Sequence, residues 1–557
     1  MTRTIFHGGR VFTAAPDDTA SGADAVTGAT AAAGAGAPTA LVVDGDRIAF
    51  VGDDAGARDF AGDDAQRVDL AGSLVVPGFV DSHTHLVMMG EALGKVELTS
   101  AKTIEEIQQR LAAARAADPD APRVLGRGWL FDSVPGGTPT AAMIDAAVAD
   151  APVYLDANDY HSVWVNSAAL AELGITRDTP DPIGGRIVRD EAGEATGLLL
   201  ETAGEQIVWP FLAEQTSDAD RDAAIDRAFA AYLEAGVTGA VDMAFDEVGL
   251  ETLERAAERH GGALPLRIAA HWFIRNVGDE RGNVAQVEWA AELAARSLVP
   301  GLRVVGVKFI VDGVIDACTA TMSEPYSNGS NGDPIWPLAD LAPAVAAADA
   351  AGLQVALHAI GDAASGIALD AVEAAIEANG DLPRRHRVEH LEYAAPGTAE
   401  RLARLGVTAS MQPVHTDAAV RPNWNAMLGD ERVERGFAWP EYEAAGALLA
   451  FSTDAPTAPY SALHNLFVAV TRGSALDPEL APNEPHLALP LASAIGHATR
   501  DSAASVGDGD SLGVIAPGFT ADFAVIDVDP FTAGDRSLLD ARVVRTVIEG
   551  RTVFSAE

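Results

Sequence analysis

His83 and His85 stand two residues apart, and Lys308, His358, His390 and Asp454 follow them along the chain. On a strand, side chains two apart share a face, so His83 and His85 can offer two imidazoles to one cation at about 2.0–2.1 Å. His358 and His390 would complete a second metal position, roughly 3.5–4 Å from the first in a binuclear site. A carboxylate such as Asp454 can bind one cation and take a proton from water that the metal has acidified; its plain alternative is a helix-capping aspartate before Ala455-Pro456. Lys308 interrupts Val-Gly-Val-Lys-Phe-Ile where an apolar residue is expected. Burial there would lower the amine's pKa, whereas a snorkelling lysine or one paired with Asp312 would keep its charge.

His-X-His alone is common. Its weight comes from the elements that must position these residues, because each candidate ends a short apolar run. The run Leu74–Asp81 leads into His83. Others lie at 239–243, 266–270, 304–310, 353–358, 386–391, 407–411 and 448–452. Near-continuous apolar runs suit parallel strands covered on both faces. Helical spacing fills several gaps: Leu338, Leu341 and Val345 before Gly352, then Leu369, Val372 and Ile376 before Asn379-Gly380 and Pro383. Eight strands alternating with helices favour a TIM (β/α)8 barrel over an open sheet, and such a barrel carries its chemistry at the carboxyl ends of its strands.

A chain of 557 residues exceeds a barrel of roughly 250. Both ends read as β-rich, with a hairpin about Asp44-Gly45-Asp46-Arg47 and another about Glu549-Gly550-Arg551. Residues 1–73 and 508–557 are therefore expected to form one small discontinuous β-sandwich domain around a barrel at 74–507. The stretch 14–40, rich in Ala, Gly, Thr and Asp, reads as an extended mobile loop. Residues 86–236 far exceed a βα loop and follow His85 directly, so an inserted cap between barrel strands 1 and 2 is expected. In it, Trp129, Tyr160, His161 and Trp164 are candidate substrate walls, with Trp209 and Phe211 as further aromatics; the commoner role of such aromatics is to form the cap's own core.

Side chains number 38 basic and 81 acidic, a net charge of −43. That balance argues against nucleic acid and anionic membrane, which are bound through clustered Lys and Arg. No apolar run approaches the ~18 residues of a spanning helix, and residues 1–9 lack a secretory core, so a cytoplasmic enzyme is expected. The single cysteine, Cys318, excludes an intrachain disulfide and a thiolate-rich zinc site.

Together the motifs resemble the amidohydrolase superfamily of metal-dependent hydrolases, in particular its amidohydrolase 3 branch with N-substituted formamide deformylase-like enzymes. The motifs are Val76-Pro77-Gly78-Phe79-Val80-Asp81-Ser82-His83-Thr84-His85, Val307-Lys308-Phe309 with Asp312-Gly313, and His358-Ala359-Ile360-Gly361-Asp362. They continue in Arg387-Val388-Glu389-His390, Ser410-Met411-Gln412-Pro413-Val414-His415 and Ser452-Thr453-Asp454-Ala455-Pro456. The tail 513–523 is similar to the segment that re-enters the sandwich. Thr453, Phe523 and the insertion at 14–40 depart from the usual pattern.

The resemblance implies a distorted TIM (β/α)8 barrel and one or two divalent ions, zinc first, held by His83, His85, Lys308, His358, His390 and Asp454. It also implies carbon dioxide captured on Lys308 as a bridging carbamate, and hydrolysis of a non-peptide C–N bond of a small-molecule substrate. Asp454 would deprotonate the attacking water and pass the proton to the leaving nitrogen. Lys308, His161 and His415 join it as catalytic candidates, with Asp312, His161 and His415 also on the substrate side. Ester or lactone hydrolysis, decarboxylation or isomerisation on the same site, and an inactive binding protein are the alternatives. A homodimer formed through the cap or small domain is a further expectation.

Overall fold

The computed structural model describes residues 3–16, 36–157, 162–182, 185–201 and 203–556. Residues 17–35, most of the stretch read as a loop, lie outside these, as do Tyr160 and His161.

Eight parallel strands form the largest sheet in chain order: β1 (Phe79–Thr84), β2 (Val237–Phe245), β3 (Arg267–Phe273), β4 (Leu302–Ile310), β5 (Gln354–Ala359), β6 (Arg387–His390), β7 (Thr408–Met411) and β8 (Leu449–Phe451). This is the expected barrel, nearly closed. Between β8 and β1 the seam is made at the carboxyl end of β8 and just beyond it: Ser82 Oγ donates to Phe451 O, Asp454 N–H to His83 O, and His85 N–H to Ala455 O. Val307, Phe309, Val355, Leu357, Val388, Ala409 and Ala450 are fully buried, as strands covered on both faces require.

Helix α1 (Asp218–Glu234) leads into β2. Helices α2 (Leu338–Ala350) and α3 (Asp362–Asn379) flank β5, and Gly352 and Gly380 follow them with φ of 74° and 72°. Leu341 and Val345 are buried on α2, each contributing roughly 1.5–3 kcal/mol. Leu338, expected on the same stripe, begins the helix and is exposed.

The run from Leu74 to Asp81 is two strands rather than one. Leu74–Pro77 pairs antiparallel with Phe523–Ile526 in a five-stranded sheet that also holds Arg10–Val11, Val543–Ile548 and Arg551–Ser555. Only Phe79 onward joins the barrel. Pro77 has no N–H to extend a ladder, and a Cβ on Gly78 would overlap the Thr238 side chain. A second sheet orders Arg47–Gly52, Ala40–Asp44, Thr4–His7 and Gln66–Asp69. Phe6, Leu41, Val43, Val75, Phe523 and Val547 share one buried core between these two sheets.

The chain divides into two compact units, Met1–Leu86 with Phe229–Glu557, and Val87–Ala228. The latter has its own six-stranded mixed sheet and apolar core. Trp129 and Trp164 belong to that core, the commoner of the two roles open to them, rather than to a substrate wall. Both are fully buried, with their rings 5.4 Å apart and their indole N–H groups donating to Leu155 O and Thr140 O. Large rings here fill the interior that the insert needs to fold. Among the described residues, no helix is long and apolar enough to cross a membrane.

Beside β8, the buried ring of His497 packs 5.2 Å from Phe451. Its nitrogens lie 2.7 Å from Asp501 and 2.9 Å from Glu443 of α4 (Trp439–Ala445). Burial opposes its charge, but the two carboxylates outweigh burial and raise its pKa from 6.5 to about 9. The folded value lies above the unfolded one, so this stabilisation is complete below about pH 6.5 and is lost as the pH rises through about 9. Its ceiling is roughly 3 kcal/mol. Urea midpoints of the wild type and His497→Gln should therefore differ most near pH 6 and converge above pH 9. A gap independent of pH would refute the charged-histidine account.

Candidate metal centre

His83 and His85 end β1 on the same face. The Nδ1 of His83 is 2.7 Å from Glu389 Oε2, and that of His85 is 2.7 Å from Met243 O. Both partners are acceptors, so Nδ1 carries the proton and Nε2 keeps its lone pair. A longer chain sets His390 in the same way. Ser452 Oγ donates to Met411 O and accepts from Gln412 Nε2, and Gln412 Oε1 is 2.9 Å from His390 Nδ1. His358 is the converse: its Nε2 lies 3.3 Å from Gly313 O, leaving Nδ1 bare. The His390 ring centroid is 4.9 Å from that of His83 and 4.3 Å from that of His358.

Burial, then the nearby Lys308 ammonium, pushes His83 down to about 4 and His358 to about 3. His390 is lowered chiefly by burial as well. These are neutral imidazoles near pH 7, the form that ligates metal.

Lys308 neither snorkels nor pairs with Asp312. It is 2% exposed, and its Nζ lies 3.3 Å from His83 Nε2. Burial lowers its pKa to about 8. Asp312, expected on the substrate side, is instead fully buried. Its carboxylate accepts the backbone N–H groups of Thr321, Ile360 and Gly361 and lies 3.7 Å from His358 Nε2. Three backbone donors leave it a support for the loops around His358.

Asp454 decides the character of the site. Its Oδ1 lies 3.3 Å from His83 Nε2 and 3.1 Å from His85 Nε2, yet it is buried and makes no hydrogen bond of normal geometry. Two imidazole nitrogens and a carboxylate oxygen thus converge; burial opposes a charge on His85, but Asp454 outweighs it and raises the His85 pKa, so the carboxylate calls for a proton or a cation beside it. The donor set of two nitrogens and one oxygen suits a divalent ion such as zinc. The His83, His85 and Asp454 ligand atoms lie within 4.8 Å of one another, and so do those of a second group, His390, Glu392 and His415. His415 Nδ1 is 3.0 Å from Glu392 Oε1, and its Nε2 is 3.8 Å from Asp454 Oδ2.

Sequence reasoning missed Glu392, Gln412 and the pair Arg387–Glu389. Arg387 is fully buried and ion-paired to Glu389, and it donates to Ser82 O, Ser410 Oγ and Ser505 Oγ. Burial would raise the pKa of Glu389, but Arg387 and His83 outweigh it and hold the carboxylate ionised. The available signal was the alternation Arg387-Val388-Glu389, two charges on one face of a buried strand.

The family model described as "Amidohydrolase family" matches residues 66–554. The chain belongs to the amidohydrolase family. This amidohydrolase is 32% identical to the putative amidohydrolase YtcJ of Bacillus subtilis, over 87% of this chain and 90% of that protein. It is 28% identical to the N-substituted formamide deformylase of Arthrobacter pascens, over 92% of this chain and 94% of the relative. Among solved structures it resembles an uncharacterized metal-dependent hydrolase from Pyrococcus horikoshii, with a TM-score of 0.73 and 27% identity over 99% of this chain and all of that one.

Proposed function

We propose that this amidohydrolase cleaves a non-peptide, amide-type C–N bond of a small organic molecule with water. The observation that carries the reading is Asp454 Oδ1, buried without a hydrogen bond of normal geometry and facing the Nε2 atoms of both His83 and His85. Those three residues, with Lys308, His358 and His390 beside them, would hold one or two divalent ions, zinc first. Such an ion supplies Lewis acidity that polarises a carbonyl and acidifies water near neutral pH. The chain's own groups do the rest. Asp454 takes the proton of the attacking water and delivers it to the departing nitrogen, which cannot leave as an anion. His415, whose Nε2 lies 3.8 Å from Asp454 Oδ2, would hydrogen-bond the carbonyl oxygen as it gains charge. Similarity to a formamide deformylase over 92% of the chain supports the amide class.

A mass-spectrometric turnover screen tests this, using metal-replete protein against N-formyl amines, N-acyl amines, N-acyl amino acids, cyclic amides and matched esters. Turnover of an amide that vanishes in Asp454→Asn is expected. Turnover of esters alone would overturn the amide reading.

Lys308 is further proposed to react with carbon dioxide. Its neutral amine would add to the carbon and release one proton, leaving a carbamate anion of two oxygens. Its burial and lowered pKa favour this, and the chain's other lysines differ: Lys95 pairs with Asp156 and Lys102 is exposed. Protein loaded with metal in ¹³C-bicarbonate should show a carbamate carbon resonance that is lost in Lys308→Met. No resonance in the wild type would refute it.

A further inference from the structure

Asp454 is a non-glycine residue with left-handed backbone, φ 57°, a conformation that a Cβ disfavours. Something must hold it there. The preceding residue, Thr453, donates both its backbone N–H and its hydroxyl to the Asp81 carboxylate, at 3.0 and 2.5 Å. Asp81 also accepts the backbone N–H of His83 at 3.4 Å and the hydroxyl of Tyr232, in the last turn of α1, at 2.8 Å. Tyr232 has one proton to give. Its oxygen also lies 2.6 Å from the Thr84 hydroxyl, which in turn donates to Ala455 O at 3.3 Å. Asp81, Thr84, Tyr232 and Thr453 are all buried. One carboxylate therefore grips both the segment bearing His83 and His85 and the segment bearing Asp454.

We propose that Asp81 is the positioning residue of the metal centre, holding Thr453 so that Asp454 keeps the left-handed turn from which Oδ1 faces both imidazoles. Asp81 touches neither the ion nor the substrate; it acts through Thr453. The inference rests on the metal reading above and adds to it the group that pre-forms the site. Thr453 is suited to the task because its hydroxyl supplies the second donor to Asp81. Serine would supply it too, and valine of the same shape would not.

Zinc affinity of the full chain, stripped of metal and titrated in competition with a chromophoric chelator, tests this, with thermal unfolding of the stripped proteins alongside. Asp81→Asn and Thr453→Val should each bind zinc about 10–100-fold more weakly, while Thr453→Ser stays close to the wild type. A purely structural role would lower the unfolding temperature and leave the affinity unchanged. A folded Asp81→Asn with wild-type affinity would overturn the inference. If Asp81→Asn does not fold, the two Thr453 variants decide: equal affinities overturn it, and rescue by serine alone supports it. A wild-type chain that takes up no zinc would end the metal reading itself, and this inference with it.

Discussion

Asp454→Asn should fold, keep its place beside β8, and lose roughly 10²–10⁴-fold in kcat on whichever substrate the screen identifies. The amide matches the carboxylate in size, and the backbone contacts that place residue 454 do not involve its side chain: its N–H donates to His83 O, and its carbonyl accepts from Thr457. The loss is chemical. An amide cannot take a proton from water at neutral pH, and it presents a weaker donor to a cation than Oδ1 does. Because the same atom faces His83 and His85, zinc content should fall along with turnover. Metal analysis of the purified variant separates the two effects: a variant that retains full metal and still fails to turn over has lost proton transfer alone. Turnover within tenfold of the wild type would remove Asp454 from the chemistry.

Arg387→Met should be the most damaging single change for stability, at about 3–5 kcal/mol. Arg387 and Glu389 are both fully buried and bonded to each other. Removing the guanidinium strands an ionised carboxylate in the barrel interior and breaks three further bonds, to Ser82, Ser410 and Ser505. The double variant Arg387→Met/Glu389→Leu removes both charges and should recover part of the loss, as apolar replacements of buried pairs do. It should still bind metal poorly, because His83 loses the acceptor that fixes its tautomer. Urea midpoints of the four proteins in the cycle measure the coupling. Equal destabilisation of the single and double variants would show that the charge pair is not what matters.

The residues that could touch a cation were legible because their chemistry is local. His83 and His85 share a strand face, and Lys308 is conspicuous in an apolar run, so type and spacing sufficed. The residues that orient them were not. Glu389 matters through His83, which precedes it by 306 positions, and Gln412 matters through His390 and Ser452; such pairings exist only once the barrel closes. Aromatic residues were ambiguous for the opposite reason. Trp129 and Trp164 have the composition of a binding wall, but an insert that folds as its own compact unit needs an interior, and large rings fill it. Asp312 was misplaced because an aspartate after a strand end looks available, whereas three backbone N–H groups saturate it. The division at Gly78 was hidden because Leu74–Val80 is apolar on both sides of it.

That division has a consequence for how the protein is made. Leu74–Pro77 runs through Gly78 into the strand that leads to His83 and His85, yet its partner Phe523–Ile526 lies about 450 residues later. At roughly 5–20 residues per second, the ribosome takes on the order of half a minute or more to supply that partner. Asp454 also arrives hundreds of residues after the histidines it faces. The two imidazoles are thus among the first parts of the centre to be synthesised, and the carboxylate that faces them is among the last.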